Sequence, residues 1–563
     1  MGRLGSKLLL SVFAAALVLS GCSTKQNEEP PKPETEKGSS TNAGTNSGGK
    51  EGAPDKLPDK YDPGIEVTTV VSTYPTTKYA DGDDMNNNPW TRMLEQEYGI
   101  KVKTLWGVPD DQYEQKLNLN ITSGEIPDFF RATSAQFKQL NEAELLEDMT
   151  EIYAKYATDN VRQVIDEAGP EVMKAAAIDG RLMGIPYTGV VKESASMLYV
   201  RKDWLKKVNL PEPQTMDDVL KIAEAFATQD PDGNGKADTY GLMADNELGG
   251  LDGFLNGYHA YRGIWLKDKE NQLVYSSIQP EMKTALGKLQ QLYQAGAIDH
   301  EFGVKAGGKV NEEIIAGRIG MFYSAMYAPG WPLQQSIDKD PNAEWQAYPM
   351  PSADGNPALA PHGLNVHASS YWVVRKGAEH PEAIFRMMDA WLDLQFLNKS
   401  DELFKKMITG ENGSGWTISP IKMYRSFNNV NNHLALVPYL KGEETDKAKL
   451  TPDQRNLLKA VEKYLNGDKT NWSANAIWGI GGTGSVVDNY LKKNQFLADQ
   501  FFGSPTPAMV DKAEVMKKLE ITTFTKIIQG APLEEFDTFV EQWYKQGGEQ
   551  ITKEVGEWYA QNI

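Results

Sequence analysis

IEVTTVVSTY (residues 65–74), NPWTRMLEQEYG (88–99) and IKVKTLWG (100–107) follow one another at the start of the globular part of the chain. The β-branched content of the first and third segments predicts strands. The middle segment predicts a helix that has Asn88 as its cap, carries Pro89 in its first turn and ends at Gly99. A strand, a helix and a strand in this order indicate an α/β fold.

The same alternation continues along the chain. DDQYEQKLNLNITSGE (110–125) predicts a second helix, and IPDFFRAT (126–133) predicts a third strand. Alternating strands and helices favour a parallel sheet, and in such sheets ligands bind at the carboxyl ends of the strands. We therefore expect binding residues at the strand ends.

A second series of elements begins with Gly184–Tyr187 and Met197–Arg201, which are typical of strands. In TMDDVLKIAEAFATQ (215–229) the apolar residues keep helical spacing. Much later, SYWVVRKG (370–377) and HPEAIFRMMDAWLDLQFL (380–397) resemble the elements of the first series. No short repeat recurs, which excludes a solenoid. The order predicts two α/β lobes that the chain crosses more than once.

The composition limits the possible functions. A chain of 563 residues is too long for one simple core, which indicates two or more domains. It carries 77 acidic and 58 basic residues, a formal charge of −19, and no basic stripe, so we exclude nucleic acid as a partner. The single cysteine, Cys22, excludes an internal disulfide and any cysteine-rich metal site within one chain.

The N-terminal residues have the pattern of an export signal. Arg3 and Lys7 precede an apolar run from Leu8 to Leu19, and small residues follow. The run is shorter than the roughly 20 residues that a membrane-spanning helix needs, although a short retained anchor is the alternative. The segment from Leu19 to Cys22 resembles the lipobox of bacterial lipoproteins. We therefore predict a signal peptide at residues 1–21 and lipidation of Cys22.

A low-complexity segment, residues 22–58, begins at this cysteine. It is rich in Pro, Gly, Ser, Thr, Lys and Glu and nearly free of large apolar residues. Such a segment buries too little surface to offset its ordering entropy. We predict a flexible tether, with the folded part beginning near Tyr61.

Further segments match, in the same order, those of one protein family. They are GEIPDFFRATSAQFKQLNEAELLEDM (124–149), GRLMGIPY (180–187), LYVRKDWLKKVNL (198–210), AGRIGMFYSAMYAPGW (316–331) and the C-terminal segment from FFGSPTP to GEWY (501–559). This ordered set resembles the extracellular solute-binding proteins of ABC importers, in the maltose-binding-like class and of the LplA type. The resemblance covers about residues 60–563.

The resemblance implies an α/β, two-lobed periplasmic-binding-protein-like fold of class II with hinge-linked lobes. The first lobe would comprise residues 59–195 and 368–435, and the second residues 196–367 and 436–563. It also implies a lipid-anchored receptor on the extracellular face of the cell membrane that closes on an oligosaccharide or other sugar and presents it to ABC permease subunits. We expect a monomer that catalyses no reaction. Sugar rings need flat apolar surfaces beside planar polar groups, and 13 Trp and 24 Tyr can help to supply them.

The positions of this pattern also assign ligand contacts. In the first lobe they are Tyr74 at the end of the first strand, Arg131, Thr133, Ser134 and Gln136 in the loop after PDFF, and Tyr187 near the hinge. In the second lobe they are Tyr258 and Tyr261 in FLNGYHAYRGIW (254–265), Trp331 in the APGWP turn, and Trp478 before a glycine-rich loop. Trp331 matches the family's stacking tryptophan, and a Trp between Gly and Pro in a turn is poorly placed for a core.

Structural roles remain open for these residues. Arg131 alternatively forms a surface ion pair, and the tyrosines alternatively belong to the core. Trp372, Trp416 and Trp472 are further cleft candidates, whereas Trp391 has the spacing of a core residue. An arginine binds a carboxylate through two hydrogen bonds, so Arg131 is a hint of an acidic sugar.

QDPDGNGKADTY (229–240) has the alternating oxygen ligands of a calcium loop. Gly235 falls at the sharp turn of such a loop, but Gly241 replaces the bidentate glutamate and a predicted strand follows in place of a helix. Loops of this kind hold structural calcium in alginate-type and LplA-type binding proteins, so we expect a structural calcium ion beside the cleft. The alternative is a glycine-rich surface turn. The expected ligands are Asp230, Asp232, Asn234, the carbonyl of Lys236, and Asp238.

Two other functions remain as alternatives. A lipidated glycoside hydrolase needs two carboxyl groups about 5 to 10 Å apart across the sugar, but the eightfold strand–helix rhythm of a barrel is missing. A peptide-binding receptor would also use aromatic cleft residues. No His-Glu-x-x-His motif is present, and GIGGTGS (479–485) lacks the lysine of a phosphate loop.

Overall fold

The computed structural model describes residues 56–562, except residues 75, 365 and 411–413 and the side chains of residues 366–369. The predicted signal peptide, the predicted lipidation site Cys22 and nearly all of the predicted tether lie outside the described residues. Of the helices in this part of the chain, none combines the length and the apolar composition needed to cross a membrane.

Strands and α-helices alternate over the first third of the chain, and helices dominate the last third. The strands are β1 (Ile65–Thr73), β2 (Ile100–Pro109), β3 (Phe129–Thr133), β4 (Ala177–Ile178), β5 (Arg181–Leu182), β6 (Ile185–Thr188), β7 (Met197–Arg201), β8 (Tyr240–Leu242), β9 (Trp265–Lys267), β10 (Leu273–Tyr275), β11 (Ile319–Ser324), β12 (Trp345–Tyr348), β13 (Ala360–His362), β14 (Val366–Val374) and β15 (Phe496–Ala498). The helices up to residue 339 are α1 (Pro89–Tyr98), α2 (Asp110–Ser123), α3 (Ser134–Glu142), α4 (Thr150–Tyr156), α5 (Asp159–Ala168), α6 (Pro170–Ala175), α7 (Lys202–Lys207), α8 (Met216–Thr228), α9 (Asp252–Gly257), α10 (Pro280–Gln294), α11 (Gly307–Ile315) and α12 (Gln334–Lys339). The later helices are α13 (Ala383–Leu392), α14 (Asp401–Phe404), α15 (Asn428–Leu440), α16 (Pro452–Leu465), α17 (Trp472–Trp478), α18 (Thr483–Lys492), α19 (Pro507–Ile528), α20 (Glu535–Trp543) and α21 (Glu549–Asn562).

Helix α1 begins and ends where the sequence predicts. The Asn88 side chain accepts hydrogen bonds from the backbone N–H groups of Trp90 and Thr91, and the Thr91 hydroxyl accepts one from the N–H of Asn88. Gly99 ends the helix in the left-handed region, at φ 69°. A side chain at Gly99 would clash with the carbonyl oxygen of Tyr61, so only glycine fits this close approach.

The first core is built from strands that come from distant parts of the chain. β1 and β2 pair in parallel, while β14 lies between β3 and β6 and is antiparallel to both. The Thr69 hydroxyl on β1 donates to the carbonyl of Phe129 on β3, which joins these two sheets. One hydrophobic cluster contains the buried apolar residues from Tyr61 to Tyr187 and from Tyr371 to Met423.

The second core surrounds a four-stranded sheet with the order β12-β7-β11-β8. β8 and β11 are parallel, and β7 is antiparallel to both of its neighbours. Ser324 at the end of β11 pairs with Met197 at the start of β7. A second hydrophobic cluster contains most of the buried apolar residues from Ala195 to Ala360 and from Val430 to Val555, including those of the C-terminal helices. A third, smaller cluster is formed by Leu436, Leu450, Leu458, Val461 and Ala474.

Over residues 56–562, the described chain passes between the two cores three times, and we call these segments the passages. The Thr188 hydroxyl donates to the carbonyl of Tyr424 at 2.7 Å, which ties the first passage to the third. The two cores and their passages form the α/β, two-lobed, hinge-linked fold that the sequence predicts. The predicted lobe boundaries stay a prediction. The passages lie between Tyr187 and Ala195, between Ala360 and Tyr371, and between Met423 and Val430.

Glu193 fastens the first passage to the second core. Its buried carboxylate accepts hydrogen bonds from the Tyr327 hydroxyl at 3.2 Å, the Asn429 side-chain amide at 2.8 Å and the Val430 N–H at 2.9 Å. Burial raises the pKa of Glu193 above its ordinary value, although these hydrogen bonds oppose the shift. The hydrogen bonds offset the cost of placing a carboxylate out of contact with water.

The sheets are mixed, whereas alternation predicted a parallel sheet. Among the described strands, parallel pairing is restricted to β1–β2, β8–β11 and β13–β15. β4–β5 and β9–β10 are antiparallel pairs of strands adjacent in the chain. The other antiparallel pairs arise because β14 enters the first lobe from the second and because β11 and β12 return beside β7. A local strand–helix pattern contains no information about a strand that arrives from so far along the chain.

Candidate functional site

A small cavity lies toward the carboxyl ends of β1 and β3, beside the first and third passages. Its volume is about 30 Å³, and its lining includes Tyr74, Arg131, Tyr187, Trp372 and Lys422. The structure therefore brings together three ligand contacts that the sequence predicts and one of its weaker candidates, Trp372. It adds Lys422, which the sequence analysis missed.

Lys422 is a buried cation with few partners. Its side-chain nitrogen donates one hydrogen bond of 2.9 Å to the Ser419 carbonyl and lies 5.9 Å from the centre of the Tyr74 ring. The indole N–H of Trp372 donates to the Lys422 carbonyl at 2.8 Å, which fixes the backbone. Burial and the positive charge of Arg131 lower the pKa of Lys422 to about 7, with Asp110 opposing the shift.

Arg131 lies at the cavity, where a ligand contact is predicted, and it also forms the ion pair that is the alternative role. Its guanidinium donates to a carboxylate oxygen of Asp110 at 3.0 Å and lies 4.9 Å from the centre of the Tyr113 ring. The Tyr113 hydroxyl donates to the carbonyl of Arg131 at 3.0 Å. The Arg131 side chain is 13% exposed and that of Asp110 49%. The arginine of this ion pair is therefore largely buried, whereas its aspartate is half exposed to solvent.

Aromatic rings form the walls around these cations. Tyr187 is buried, and its ring lies 5.7 Å from that of Trp372 and 5.8 Å from that of Tyr424. Tyr74 is half-buried and its ring lies 5.4 Å from the half-buried Trp416. Tyr187 thus forms part of the buried wall of the cavity. Tyr74 and Trp416 provide partly exposed aromatic surface beside Lys422.

Thr133 and Gln136 have partners within the protein. They form the capping box of α3, in which the Thr133 N–H donates to the Gln136 side-chain oxygen at 3.1 Å. The Gln136 amide nitrogen also donates to the Glu114 carbonyl at 3.1 Å and to Asn118 at 2.8 Å, which joins α3 to α2. The structure does not place these two side chains in the cavity, and their assignment as ligand contacts stays a prediction.

The candidates of the second lobe follow the edge of its sheet that adjoins the passages. β11 ends at this edge, because Ser324 pairs with Met197 at the start of β7. Trp331 lies in the turn after β11, and its side chain is 55% exposed. Tyr327 in the same turn donates to Glu193 of the first passage. The turn is therefore held beside the hinge with its tryptophan accessible.

Tyr258, Tyr261 and Trp478 are less accessible than Trp331. Tyr261 is 7% exposed, and burial raises the pKa of Tyr258 to about 12. In the described part of the chain, the Tyr258 hydroxyl and the Trp478 indole nitrogen are buried without a hydrogen-bond partner. Their assignment as ligand contacts stays a prediction.

The loop of the predicted calcium site brings its oxygen atoms close together. The Asp230 carboxylate accepts hydrogen bonds from successive backbone N–H groups, including that of Gly235 at 3.0 Å. The Asn234 amide donates to Asp232 at 2.8 Å and to Asp238 at 2.9 Å. Partial burial and the neighbouring carboxylates of Asp230 and Asp238 raise the pKa of Asp232. Over the described residues, no three His, Cys, Asp or Glu side chains already form a metal-binding group.

The position of this loop differs from the expectation. β8 begins just after the loop, as predicted, and runs parallel to β11, which ends beside the passages. The loop therefore lies at the opposite edge of the second sheet, and the prediction that it lies beside the cleft is wrong. The direction of β8 is set by its pairing with β11. The sequence of the loop carries no information about that pairing.

One sequence signal could have found Lys422. In SPIKMY (419–424) a single lysine stands between Ile421 and Met423, and a charged residue in an apolar run is a candidate for a buried position. Its proximity to Arg131 has no local signal, because the two residues lie far apart in the chain.

Comparison with known proteins identifies the fold and the family. The profile of the family described as bacterial extracellular solute-binding protein matches residues 73–402, which is more than half of the chain. Lipoprotein LipO of Bacillus subtilis (strain 168) is 28% identical over 244 residues, covering 42% of this chain and 46% of LipO. The fructooligosaccharide ABC transporter substrate-binding protein FusA of Streptococcus pneumoniae serotype 4 is 28% identical over 237 residues, covering 39% of this chain and 43% of FusA. The chain thus spans less than half the length of these two relatives.

A third relative matches over a longer span. The polygalacturonan/rhamnogalacturonan-binding protein YtcQ of Bacillus subtilis (strain 168) is 22% identical over 483 residues, covering 83% of this chain and 87% of YtcQ.

Solved structures show the same architecture. The HMO binding ABC-transporter associated solute binding protein from Bifidobacterium longum infantis superposes with a TM-score of 0.57 at 16% identity, covering 88% of this chain and 98% of that one. An EF-hand mutant of S. pneumoniae FusA in complex with fructo-nystose gives 0.54 at 16% identity, covering 88% and 99%. Alginate-binding protein AlgQ2 without calcium ion gives 0.54 at 15% identity, covering 90% and 100%. At these identities the likeness shows the fold alone, and with the family profile it leads to one conclusion: the chain belongs to the bacterial extracellular solute-binding protein family.

Proposed function

We propose that the chain is the substrate-binding protein of an ABC importer and captures an oligosaccharide by closing its two lobes. The observation that carries this proposal is accessible aromatic surface beside the passages in both lobes. Tyr74 and Trp416 provide it in the first lobe, and Trp331, 55% exposed, provides it in the second. Flat aromatic faces pack against the C–H faces of sugar rings. FusA and YtcQ, whose names state sugar ligands, support the same function.

The setting of the protein forms part of this proposal. Cys22 would carry the lipid that anchors the chain on the extracellular face of the membrane, and permease subunits would receive the sugar. The similarity to LipO, which is named a lipoprotein, supports the anchor. We propose that the chain acts as a monomer and binds no nucleic acid, in agreement with its formal charge of −19.

The proposed role includes no catalysis. Glycoside hydrolysis requires two carboxyl groups placed about 5 to 10 Å apart across the sugar. Of the described residues that line the cavity, none is a carboxylate, and the neighbouring Asp110 is already paired with Arg131. The cavity is therefore suited to binding.

A structural calcium ion also belongs to the proposal. Asp230, Asp232, Asn234 and Asp238, with the carbonyl of Lys236, offer the hard oxygen ligands that calcium takes. The crowding of carboxylates around Asp232 supports a cation there, because like charges at this distance repel one another without one. The names of two structural relatives, which mention an EF-hand and a calcium ion, agree with it. The ion would hold the turn between α8 and β8.

A thermal-shift screen tests the function directly. Purified protein is mixed with neutral oligosaccharides, uronic-acid oligosaccharides and peptides of similar size. A ligand that binds only the folded state raises the melting temperature. At concentrations above the Kd, this increase grows with the logarithm of the ligand concentration. We expect stabilisation by at least one oligosaccharide. Stabilisation by peptides alone would contradict the proposal.

A further inference from the structure

Two positive side chains meet at the cavity of an acidic protein. Arg131 and Lys422 both line it, and the charge of Arg131 acts on Lys422 strongly enough to affect its protonation. Among the described residues, the carboxylate that acts on this pair is Asp110, which is half exposed and paired with Arg131. The chain as a whole carries a formal charge of −19, so a local excess of positive charge needs an explanation.

Lys422 has no negative partner among the described residues. It is 8% exposed, and its ammonium makes a single hydrogen bond, to the Ser419 carbonyl. A buried charge is costly unless it is paired, and lysine is almost never this buried without a partner. An anion that enters the cavity from outside would provide the missing partner.

Arg131 also keeps binding capacity. Its described contacts use one guanidinium nitrogen, Nη2, for Asp110, so other N–H groups of the planar fork remain for a second acceptor. A carboxylate matches this geometry because its two oxygens lie in one plane. The guanidinium itself is held by the Tyr113 ring, at 4.9 Å.

The size of the cavity favours a small chemical group of the ligand over a whole sugar ring. The enclosed space, about 30 Å³, suits a group of the size of a carboxylate better than a pyranose. The ring that carries the carboxylate would have to lie outside, where Tyr74 and Trp416 offer aromatic surface beside Lys422. A uronic acid has this arrangement, since its carboxylate projects from one edge of the sugar ring.

We infer that Arg131 and Lys422 form a subsite for the carboxylate of a uronic-acid residue, whose ring packs on Tyr74 and Trp416. This inference rests on the proposed sugar-binding function and narrows it to acidic oligosaccharides. It assigns Lys422 as a ligand contact.

Binding is then coupled to proton uptake. At pH 8 the free protein holds Lys422 mainly neutral, and the bound carboxylate favours the charged form, so each binding event takes up about one proton. The affinity falls as the pH rises above about 7. In the described part of the chain, the other titratable or charged groups around Lys422 are Arg131 on β3, Asp110 at the start of α2, and the phenols of Tyr74, Tyr113, Tyr187 and Tyr424.

The test compares ligands that differ chiefly in the charge of one group on each ring. Calorimetry measures the binding of the purified full-length chain to trimers of galacturonate, glucuronate and mannuronate, to their methyl esters, and to the neutral trimers of the parent hexoses. We expect at least one acid to bind at least about tenfold more tightly than its methyl ester. Titrations at pH 8 in buffers of different ionisation enthalpy count the protons taken up.

Variants of the wild-type chain separate binding from folding. Lys422→Met should lose most of the preference for the acid over the ester and the proton uptake, while Lys422→Arg should keep part of the preference. Lys103→Met is the matched control, because Lys103 is an exposed lysine on β2 of the same lobe and its loss changes the net charge equally. The control should bind the acid as the wild type does.

The outcomes distinguish the inference from the proposed function. If neutral trimers or methyl esters bind the wild type as tightly as the acids, the carboxylate subsite is refuted while sugar binding stands. If a sulfated trimer binds more tightly than every uronate, the site binds anions but the carboxylate assignment is wrong. If no trimer binds and peptides do, both the inference and the proposed function fail.

Discussion

The ammonium group of Lys422 lies in a wall of apolar and aromatic side chains that leaves the residue 8% exposed. In the free protein this position is a cost, because a charge without a partner loses its hydration. On the proposed carboxylate subsite, Lys422 contributes to binding and not to stability. We therefore predict that replacing the Lys422 side chain by an uncharged one increases the stability of the folded protein.

Lys422→Met should stabilise the protein, and the gain should be largest at low pH. The folded-state pKa of about 7 lies below the ordinary 10.5, so below pH 7 the residue is charged in both states and the folded state bears the full burial cost. As the pH rises from 7 to 10.5 that cost disappears, since the folded state no longer binds the proton. The gain is at most about 5 kcal/mol, at about 1.4 kcal/mol per pKa unit.

Urea denaturation at pH 6 and pH 9 measures this difference, with Lys103→Met as the control of equal charge. A variant that is less stable than the wild type at pH 6 would show that Lys422 stabilises the fold in a way the cavity geometry does not explain.

Trp331 should contribute to binding and little to stability. Its side chain is 55% exposed, so Trp331→Ala removes little buried surface and the melting temperature should stay within roughly 2 °C of the wild type. The loss of one stacking face should weaken oligosaccharide binding by about tenfold or more. Tyr544→Ala, which truncates another exposed aromatic of the second lobe, should leave the affinity unchanged. Equal affinities of the Trp331 variant and the wild type would remove Trp331 from the site.

The location of a candidate residue was predictable where its position relative to a strand determines it. Tyr74 follows β1, whereas Arg131 and Tyr187 lie within β3 and β6, and the structure brings the three to one cavity. Thr133 and Gln136 follow the same strand, but a capping box engages them, which the spacing from Thr133 to Gln136 could have indicated. Lys422 was not found because its importance depends on a neighbour that no local pattern specifies.

Among the connecting segments, the first passage depends on one buried carboxylate. Glu193→Ala should destabilise the fold by about 1–3 kcal/mol, because the Asn429 amide, the Val430 N–H and the Tyr327 hydroxyl would lose their shared acceptor. Glu193→Gln keeps a carbonyl acceptor and should lose less. Denaturant unfolding checks both, with Glu97→Ala on the exposed face of α1 as the control. If Glu193→Ala matches that control, the passage is not held by these hydrogen bonds.

The loop between α8 and β8 should affect stability and not affinity. If calcium binds there, EGTA should lower the melting temperature by roughly 5 °C, because the ion stabilises only the folded state. Sugar affinity, measured below that transition, should change little, since the loop lies at the edge of the sheet away from the passages. Asp232→Ala should abolish the effect of the chelator. Loss of sugar binding on chelation in an intact fold would contradict the structural role.

The helices and strands themselves were largely predictable. α1 begins after Asn88 and ends at Gly99, and α8 begins after its cap Thr215, as the capping residues indicate. The direction of the strands was not predictable, because β14 inserts between β3 and β6 from far along the chain. The same limit led to the wrong position of the loop before β8.

At the scale of the whole molecule, the described residues form two large hydrophobic cores, linked by three passages of the chain, and one smaller cluster around Leu436 and Leu458. The candidate residues of the first core and Trp331 of the second both lie beside these passages, so a ligand held by both would favour a closed arrangement of the lobes. A ligand shifts such an equilibrium only through its different affinity for the two arrangements. Contacts made by both lobes provide that difference.

Small-angle X-ray scattering of the full-length chain, with and without an oligosaccharide that the thermal-shift screen identifies, tests capture by lobe closure most directly. The proposal predicts a smaller radius of gyration at saturating ligand, and Trp331→Ala should show a smaller contraction at the same concentration. An unchanged radius of gyration for the saturated wild-type protein would contradict it.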